Sequence, residues 1–244
     1  MGSSYFYLEF LLAYITLLSQ AGYSNPAILA LEYTLVPDSS YPTQIQQSLA
    51  AYRYLLNQIP ASRIVVSGDS AGGTIILSML LHLATSSKAR QAHQIPMQEQ
   101  VLQLPSMAAL ISPWVKLIGE EDRNTASDYL DKDSLHLYAR QYASKFSASD
   151  PLISPGNCQD RDLWRNACPA KGFFVTYGKE EVFAPEIRNW ISFLEREAGL
   201  EIGSREESGG IHAWPVASLF LSSSVAERQK GLKDLVEQIR ERIK

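Results

Sequence analysis

A serine held between glycines, Gly68-Asp69-Ser70-Ala71-Gly72, carries the clearest chemical signal in the chain. It follows a short apolar run, Ile64 to Val66, and precedes a longer one, Thr74 to Leu81. The first run reads as a buried strand and the second as a buried helix. Strand, glycine-bounded serine and helix together make the context of a nucleophile elbow, with the serine at the tip of a strained turn. This reading needs Gly68 and Gly72 to lack side chains where strand and helix cross. The helix N-terminus would turn partial positive charge toward a developing oxyanion, with the Ala71 N–H as the elbow-side donor. A bare G-x-S-x-G arises by chance in roughly one chain in ten of this length. The flanking elements and the serine's partners therefore decide its meaning.

A serine hydroxyl is a weak nucleophile at neutral pH. It needs a histidine to take its proton and a carboxylate to orient that histidine. The chain has 4 histidines. His82 lies on the helix after the elbow, where packing or capping is expected. His93 and His136 sit in polar stretches and read as surface residues. His212, in Ser208-Gly209-Gly210-Ile211-His212-Ala213-Trp214, follows the last expected strand and is the candidate base. Tyr177-Gly178-Lys179-Glu180-Glu181-Val182-Phe183 ends the strand before it and supplies two acids. Glu181 is preferred because it directly precedes the apolar pair Val182-Phe183; Glu180 is the alternative. Asp69 adjoins Ser70 but cannot share its geometry, so a structural role at the turn is expected. Serine, acid and histidine then run in the chain order of an α/β-hydrolase.

The elements that must position these groups alternate. A helix is expected over Tyr5 to Ala21, closed by Gly22. A short buried strand follows at Ala27 to Leu31, then an amphipathic helix over Thr43 to Asn57 with Ile45, Leu49, Tyr52 and Leu56 on one face. After the elbow, Ser86 to Gln103 reads as a helix end and surface loop, Met107 to Ile111 as a strand, and Leu130 to Phe146 as helical. Asp150 to Pro155 reads as extended, Gly172 to Tyr177 as a strand, and Phe183 to Ala198 as a helix. Glu201 to Glu206 is a weaker strand. Val225 to Lys244 is a final helix with Leu232, Leu235, Val236 and Ile239 inward. Alternation of this kind predicts a mainly parallel sheet covered on both faces, with its site at the carboxyl ends of the strands.

The chain has 244 residues, 45% of them hydrophobic and 20% charged, which suits a single domain over residues 1–244. A net charge of −4 without a basic block argues against nucleic acid as a partner. Cys158 and Cys168 make no disulfide framework, and a reducing cytoplasmic setting is the simpler expectation. The apolar stretch from Tyr5 to Leu18 is interrupted by Glu9, has no basic leader and is too short to span a bilayer. No stable membrane insertion is expected. Phe6 occupies the place where a myristoylation signal needs serine or threonine.

Taken together, the chain resembles the hormone-sensitive-lipase branch of the α/β-hydrolases. Gly68-Asp69-Ser70-Ala71-Gly72-Gly73 matches the GDSAGG elbow of that branch. Glu32-Tyr33-Thr34-Leu35-Val36-Pro37, with Tyr41-Pro42, is similar to its D-Y-R-L-A-P…F-P segment, and Ser112-Pro113-Trp114 to its S-P-W turn. Tyr177 to Phe183 and His212-Ala213-Trp214 resemble its acid and histidine loops. The resemblance implies a three-layer α/β-hydrolase fold and a serine carboxylesterase acting on small uncharged esters through an acyl-enzyme. Ser70 would be the nucleophile, His212 the base and Glu181 the orienting acid, with no metal or organic cofactor.

One feature of the branch is missing. No HGGG motif, whose glycine N–H groups supply most of the oxyanion hole, occurs in the chain. The strand that carries HGGG in the branch belongs beside the elbow strand. Its absence leads to the expectation of an N-terminally truncated hydrolase fold, in which Met1 is an internal methionine of a longer protein. A homodimer would cover the exposed sheet edge. The alternative to an active esterase is a catalytically impaired hydrolase or a small-molecule-binding pseudoenzyme, since only Ala71 remains as a donor. Elimination chemistry, seen in family members with altered nucleophiles, is disfavoured by the intact Ser70. The aromatic residues Tyr5, Phe6, Tyr7, Trp114 and Trp214 are candidates to line a site, with core packing the expected role for most of them.

Overall fold

The computed structural model describes residues 6–91 and 102–243. The expectations for Tyr5, for His93 and for most of the loop read over Ser86 to Gln103 fall wholly or partly outside these residues. In chain order the elements are α1 (Leu8–Gln20), α2 (Thr43–Leu56), β1 (Val65–Asp69), α3 (Ala71–Gln91), β2 (Met107–Ile111), α4 (Lys132–Ala143) and α5 (Arg161–Ala167). They continue with β3 (Phe173–Gly178), α6 (Ala184–Arg196), β4 (Ile202–Glu207), α7 (Trp214–Leu221) and α8 (Val225–Arg242).

The four strands form one parallel sheet in sequential order, β1-β2-β3-β4. Crossovers between parallel neighbours take one hand, so sequential order sends the connecting helices to one face. Alternate strand residues show the consequence. Val66, Ala108, Leu110, Phe173 and Val175 join a core containing side chains of α3, α5 and α6. The opposite side chains, Met107, Ala109, Ile111 and Phe174, join a second core. That face can be covered only by segments outside the crossovers, and α1, α7 and α8 do so. With both faces covered, every residue of β2 and β3 is buried. On α8, Leu232, Leu235, Val236 and Ile239 all face this second core. Each such burial contributes about 1.5–3 kcal/mol relative to exposure.

Four sequence expectations are corrected. Ala27 to Leu31 is not a buried strand: it has no regular structure, and Leu29 and Leu31 are exposed. A strand needs a neighbour to take its N–H and C=O groups, and β1 is paired only with β2 among the described residues. The segment is instead fastened farther on, at Thr34, by glutamines of α2. Thr34 N–H donates to Gln47 Oε1 (2.9 Å), and Gln44 Nε2 donates to the Thr34 carbonyl (2.8 Å). Second, the stretch from Asp150 to Pro155 is a set of turns entering a short 3-10 segment, Pro155–Asn157, rather than an extended run. Asp150 Oδ1 accepts from Leu152 N–H, which folds the chain back locally. Third, α5 and α7 are helices within stretches not read as helical. The fourth correction concerns the elbow glycines and is described with the site.

Candidate active site

Ser70 directly follows β1 and directly precedes α3. Its φ of 52° lies in the left-handed region, as the strained elbow requires. Its backbone is fixed from both sides: Ser70 N–H donates to the Ile111 carbonyl (3.0 Å), and the Ser70 carbonyl accepts from Trp114 N–H (3.0 Å). Gly68 is needed as expected, because a Cβ there would stand 2.5 Å from the Gly72 carbonyl group. Gly72 itself is not crowded, since a Cβ would meet nothing within 4 Å. The second tight position is Gly73, where a Cβ would lie 2.7 Å from Pro113. The helix thus meets the strand backbone at Gly72 but has its own close approach at Gly73, against the turn after β2. Ala71, the expected oxyanion donor, begins α3, so its N–H has no intrahelical acceptor.

The acid and base lie at neighbouring strand ends. Glu181 follows β3 and is buried, while Glu180 is partly exposed. His212 follows β4 and is also buried, at 3% exposure, rather than lying free in a surface loop. Its Nδ1 stands 3.9 Å from Glu181 Oε1. This is outside hydrogen-bond range, and both atoms are buried without another partner. The Phe183 and Tyr129 rings stand roughly perpendicular to the imidazole, with centroids 5.2 and 6.0 Å away.

The other Glu181 oxygen is tightly held. Oε2 accepts from the Ser112 hydroxyl (2.6 Å) and from Gly178 N–H (2.8 Å). Ser112 Oγ in turn accepts from Ala213 N–H (2.9 Å), next to His212. Ser112 thus links the acid loop to the base loop. Ser112 and Ala213 both have positive φ, 44° and 50°. With Ser70, three of the four non-glycine residues of this kind among the described residues converge here. Each costs on the order of 1–3 kcal/mol, strain of the sort that gathers at functional sites.

On the elbow side, Asp69 accepts a 2.7 Å hydrogen bond from the Tyr7 hydroxyl, tying the start of α1 to the elbow. This is the structural role expected of Asp69. Burial pushes the Asp69 carboxyl pKa up, while the Tyr7 bond and the nearby His212 pull it back. Burial and Asp69 together raise the Tyr7 hydroxyl. Tyr129 is pushed up to about 12, by burial first and then by Asp128.

The remaining sequence candidates lie apart from this cluster. His82 packs as expected, with Nδ1 2.8 Å from the Ser78 carbonyl and Nε2 3.3 Å from the Tyr41 hydroxyl. His136 is less exposed than a surface residue, because α4 turns it toward buried Asp122, with Nε2 3.7 Å from Oδ2. Trp114 and Trp214 are buried, the former stacked on Phe183, whereas Phe6 is exposed and stacks on Phe220. Among the described residues no cluster of His, Cys, Asp and Glu could hold a metal ion. No helix among them is long and apolar enough to cross a membrane. Sequence reasoning missed Asp128 and Tyr129 and did not foresee the bond of Tyr7 to Asp69 or the linking role of Ser112. The S-P-W turn was the one visible pointer to Ser112.

Residues 13–216 match a family model described as "alpha/beta hydrolase fold". The chain belongs to that family. Over 68% of its length it is 32% identical to a Schizosaccharomyces pombe protein named "Putative steryl acetyl hydrolase mug81", covering 44% of that protein. Over 78% it is 28% identical to an acetyl-hydrolase of Streptomyces hygroscopicus, covering 58% of it. The chain thus spans about half the length of these curated relatives. The crystal structure of EstE5 soaked with p-nitrophenyl butyrate superposes with a TM-score of 0.71 at 24% identity. That superposition covers 94% of this chain and 69% of the other. At this identity the likeness speaks for the fold.

Proposed function

We propose that this member of the α/β hydrolase family is a serine esterase that cleaves small uncharged carboxylic esters through an acyl-enzyme. The observation that carries the reading is that buried Glu181 and His212 face each other at neighbouring strand ends, while the strained Ser70 is bonded through its backbone to Ile111 and Trp114, on either side of the Ser112 that holds Glu181. In this reading Ser70 Oγ attacks the acyl carbon as His212 takes its proton. The tetrahedral intermediate collapses, and His212 returns the proton to the departing alcohol. Water then attacks the acyl-enzyme, again losing a proton to His212, and the acid leaves with Ser70 restored. Glu181 orients the imidazole and stabilises its charged form, and the Ala71 N–H bonds the oxyanion. The chemistry calls on no metal or organic cofactor. The names of the two curated relatives support short acyl groups, acetyl above all, as the preferred class.

A second reading is favoured by a specific pair of observations. The Glu181–His212 gap is 3.9 Å, and the 244 residues contain no HGGG, which leaves the Ala71 N–H as the donor identified among the described residues. Loss of a single oxyanion donor typically costs about 10²–10³ in rate. A catalytically impaired or ligand-binding protein would have this profile. Hydrolysis of p-nitrophenyl acetate and butyrate by the chain, beside folded Ser70→Ala, separates the two. The esterase reading expects activity that disappears with Ser70→Ala and falls from acetate to longer acyl groups. Equal rates in both proteins would support the binding reading.

A further inference from the structure

We propose that Asp128 is the positioning residue that sets Glu181 and His212 relative to each other, by accepting backbone hydrogen bonds from both of their loops. The proposal rests on the reading of those two residues as acid and base. Asp128 lies in the polar loop between β2 and α4, at neither the elbow nor a strand end. Its Oδ2 accepts from Val182 N–H at 2.8 Å, one residue beyond Glu181. Its Oδ1 accepts from the N–H of His212 itself at 3.1 Å. Three distant stretches of chain therefore meet on one carboxylate.

The carboxylate is itself held in place. Asp128 Oδ1 also accepts from Tyr129 N–H (2.9 Å), and Asp128 N–H donates to Thr125 Oγ1 (3.1 Å). Thr125 Oγ1 donates to the Glu180 carbonyl at 2.6 Å, and the Tyr129 hydroxyl donates to the His212 carbonyl at 3.3 Å. The loop thus grips the acid segment on both sides of Glu181 and grips His212 at both its N–H and its carbonyl. Ser112 makes a separate connection, through the Glu181 side chain and the Ala213 N–H. Asp128 bonds the two loops through their backbone only.

The residue type matters. A carboxylate is an acceptor at both oxygens, whereas asparagine offers one acceptor and one N–H₂ donor. Asparagine could therefore satisfy only one loop, and its donor would face the N–H of the other. Bonds to a charged acceptor are also stronger than neutral ones. Because reacting groups tolerate little misplacement, a shift of about 1 Å can cost on the order of 100-fold in rate. The 3.9 Å separation of Nδ1 and Oε1 leaves no slack for further drift.

The test uses the full chain as wild type, Ser70→Ala, Asp128→Asn and Asp128→Glu. Kinetics on p-nitrophenyl acetate are normalised to Ser70 titrated with a fluorophosphonate. Hydrogen exchange is followed by mass spectrometry over peptides containing Val182 and His212. Asp128→Asn should lower kcat about 10- to 100-fold with KM within about threefold. It should also speed exchange at one or both amides while α8 stays protected. Asp128→Glu, which keeps charge and both acceptors, should hold both amides slow and keep most of kcat. A merely structural role would lower thermal stability and leave kcat per titrated site unchanged, overturning the proposal. So would a loss confined to KM, or both amides exchanging at wild-type rates in Asp128→Asn. If Asp128→Asn fails to fold, fast exchange at both amides in Asp128→Glu with normal kcat would overturn it. If wild type shows no Ser70-dependent turnover, the esterase reading fails by itself. The exchange data then still decide whether Asp128 ties the two loops.

Discussion

The two halves of the site are built differently. On the acid–base side, Glu181 and His212 are buried at the ends of a covered sheet, and Ser112 and Asp128 cross-link their loops from two directions. On the elbow side, Ser70 ends a strand whose outer edge has no strand partner among the described residues, and Ala71 is exposed. The segment before α2 has no regular structure, and Leu29, Leu31 and Leu35 in it are exposed. Burial with paired polar groups makes a rigid environment, while exposed backbone with few apolar contacts makes a labile one. The comparison teaches that the candidate acid and base are held by bonds to their loops, whereas the candidate donor, the Ala71 N–H, stands at an exposed helix N-terminus.

The closest approach of strand to helix at the elbow gives the largest expected effect. Gly68→Ala drives a Cβ to 2.5 Å from the Gly72 backbone. A loss of about 3 kcal/mol in unfolding free energy or failure to fold is expected. Gly72→Ala meets nothing within 4 Å and should be neutral or stabilise by up to about 1 kcal/mol, since alanine favours the helix. Denaturant unfolding of the two variants checks the contrast; equal losses would break it.

Ser112→Ala tests the braced half. It removes the hydroxyl that donates to Glu181 and accepts from Ala213 N–H. Leaving the Ala213 N–H buried and unsatisfied, and Glu181 Oε2 with the Gly178 N–H alone, should cost about 1–3 kcal/mol in stability. The freed Glu181 should lower kcat by roughly 10- to 100-fold. Steady-state kinetics on folded protein would show the drop in kcat with KM little changed. A loss of stability alone would mean that the brace serves only folding.

The smallest effect lies outside both halves, at buried Asp122. Burial, and then Glu186, push the Asp122 carboxyl up to about 7 from an ordinary 3.8. The folded protein therefore holds this proton at pH values where the unfolded chain has lost it. From this group, stability is fully present below about pH 4 and falls as pH rises toward 7. Asp122→Asn, which mimics the protonated form, should match wild type near pH 4. At pH 8 it should exceed wild type by on the order of 1–3 kcal/mol. Thermal unfolding followed across pH would show the two curves diverging upward from pH 4.

The contrast also explains what could be read in the sequence. Met107 to Ile111 was legible because a strand covered on both faces must be continuously apolar. Ser70 and His212 were legible because the elbow and the last strand end are fixed by chain order. Glu181 was separable from Glu180 by the apolar pair after it, and that pair is buried. Ala27 to Leu31 misled because composition reports apolarity but not whether a pairing partner exists. Gly72 misled because motif spacing does not say which residue of a crossing helix comes closest. Asp128 left no trace because a side chain that accepts from backbone N–H groups needs no complementary residue type at positions 182 or 212. Of the two missed helices, α5 carried a signal in Asp160, whose Oδ1 caps Leu163 N–H, and α7 in Pro215 at its first turn.

The most direct test of the central claim is covalent labelling of Ser70 by a fluorophosphonate, located by peptide mass spectrometry. Wild type, His212→Ala and Glu181→Gln would be compared at equal folded concentration. The account predicts labelling at Ser70 in wild type, a rate lowered in Glu181→Gln, and loss of about 10³-fold or more in His212→Ala. Labelling of Ser70 at the same rate in all three proteins would contradict it. The braced acid and base would then not be the groups that activate the serine.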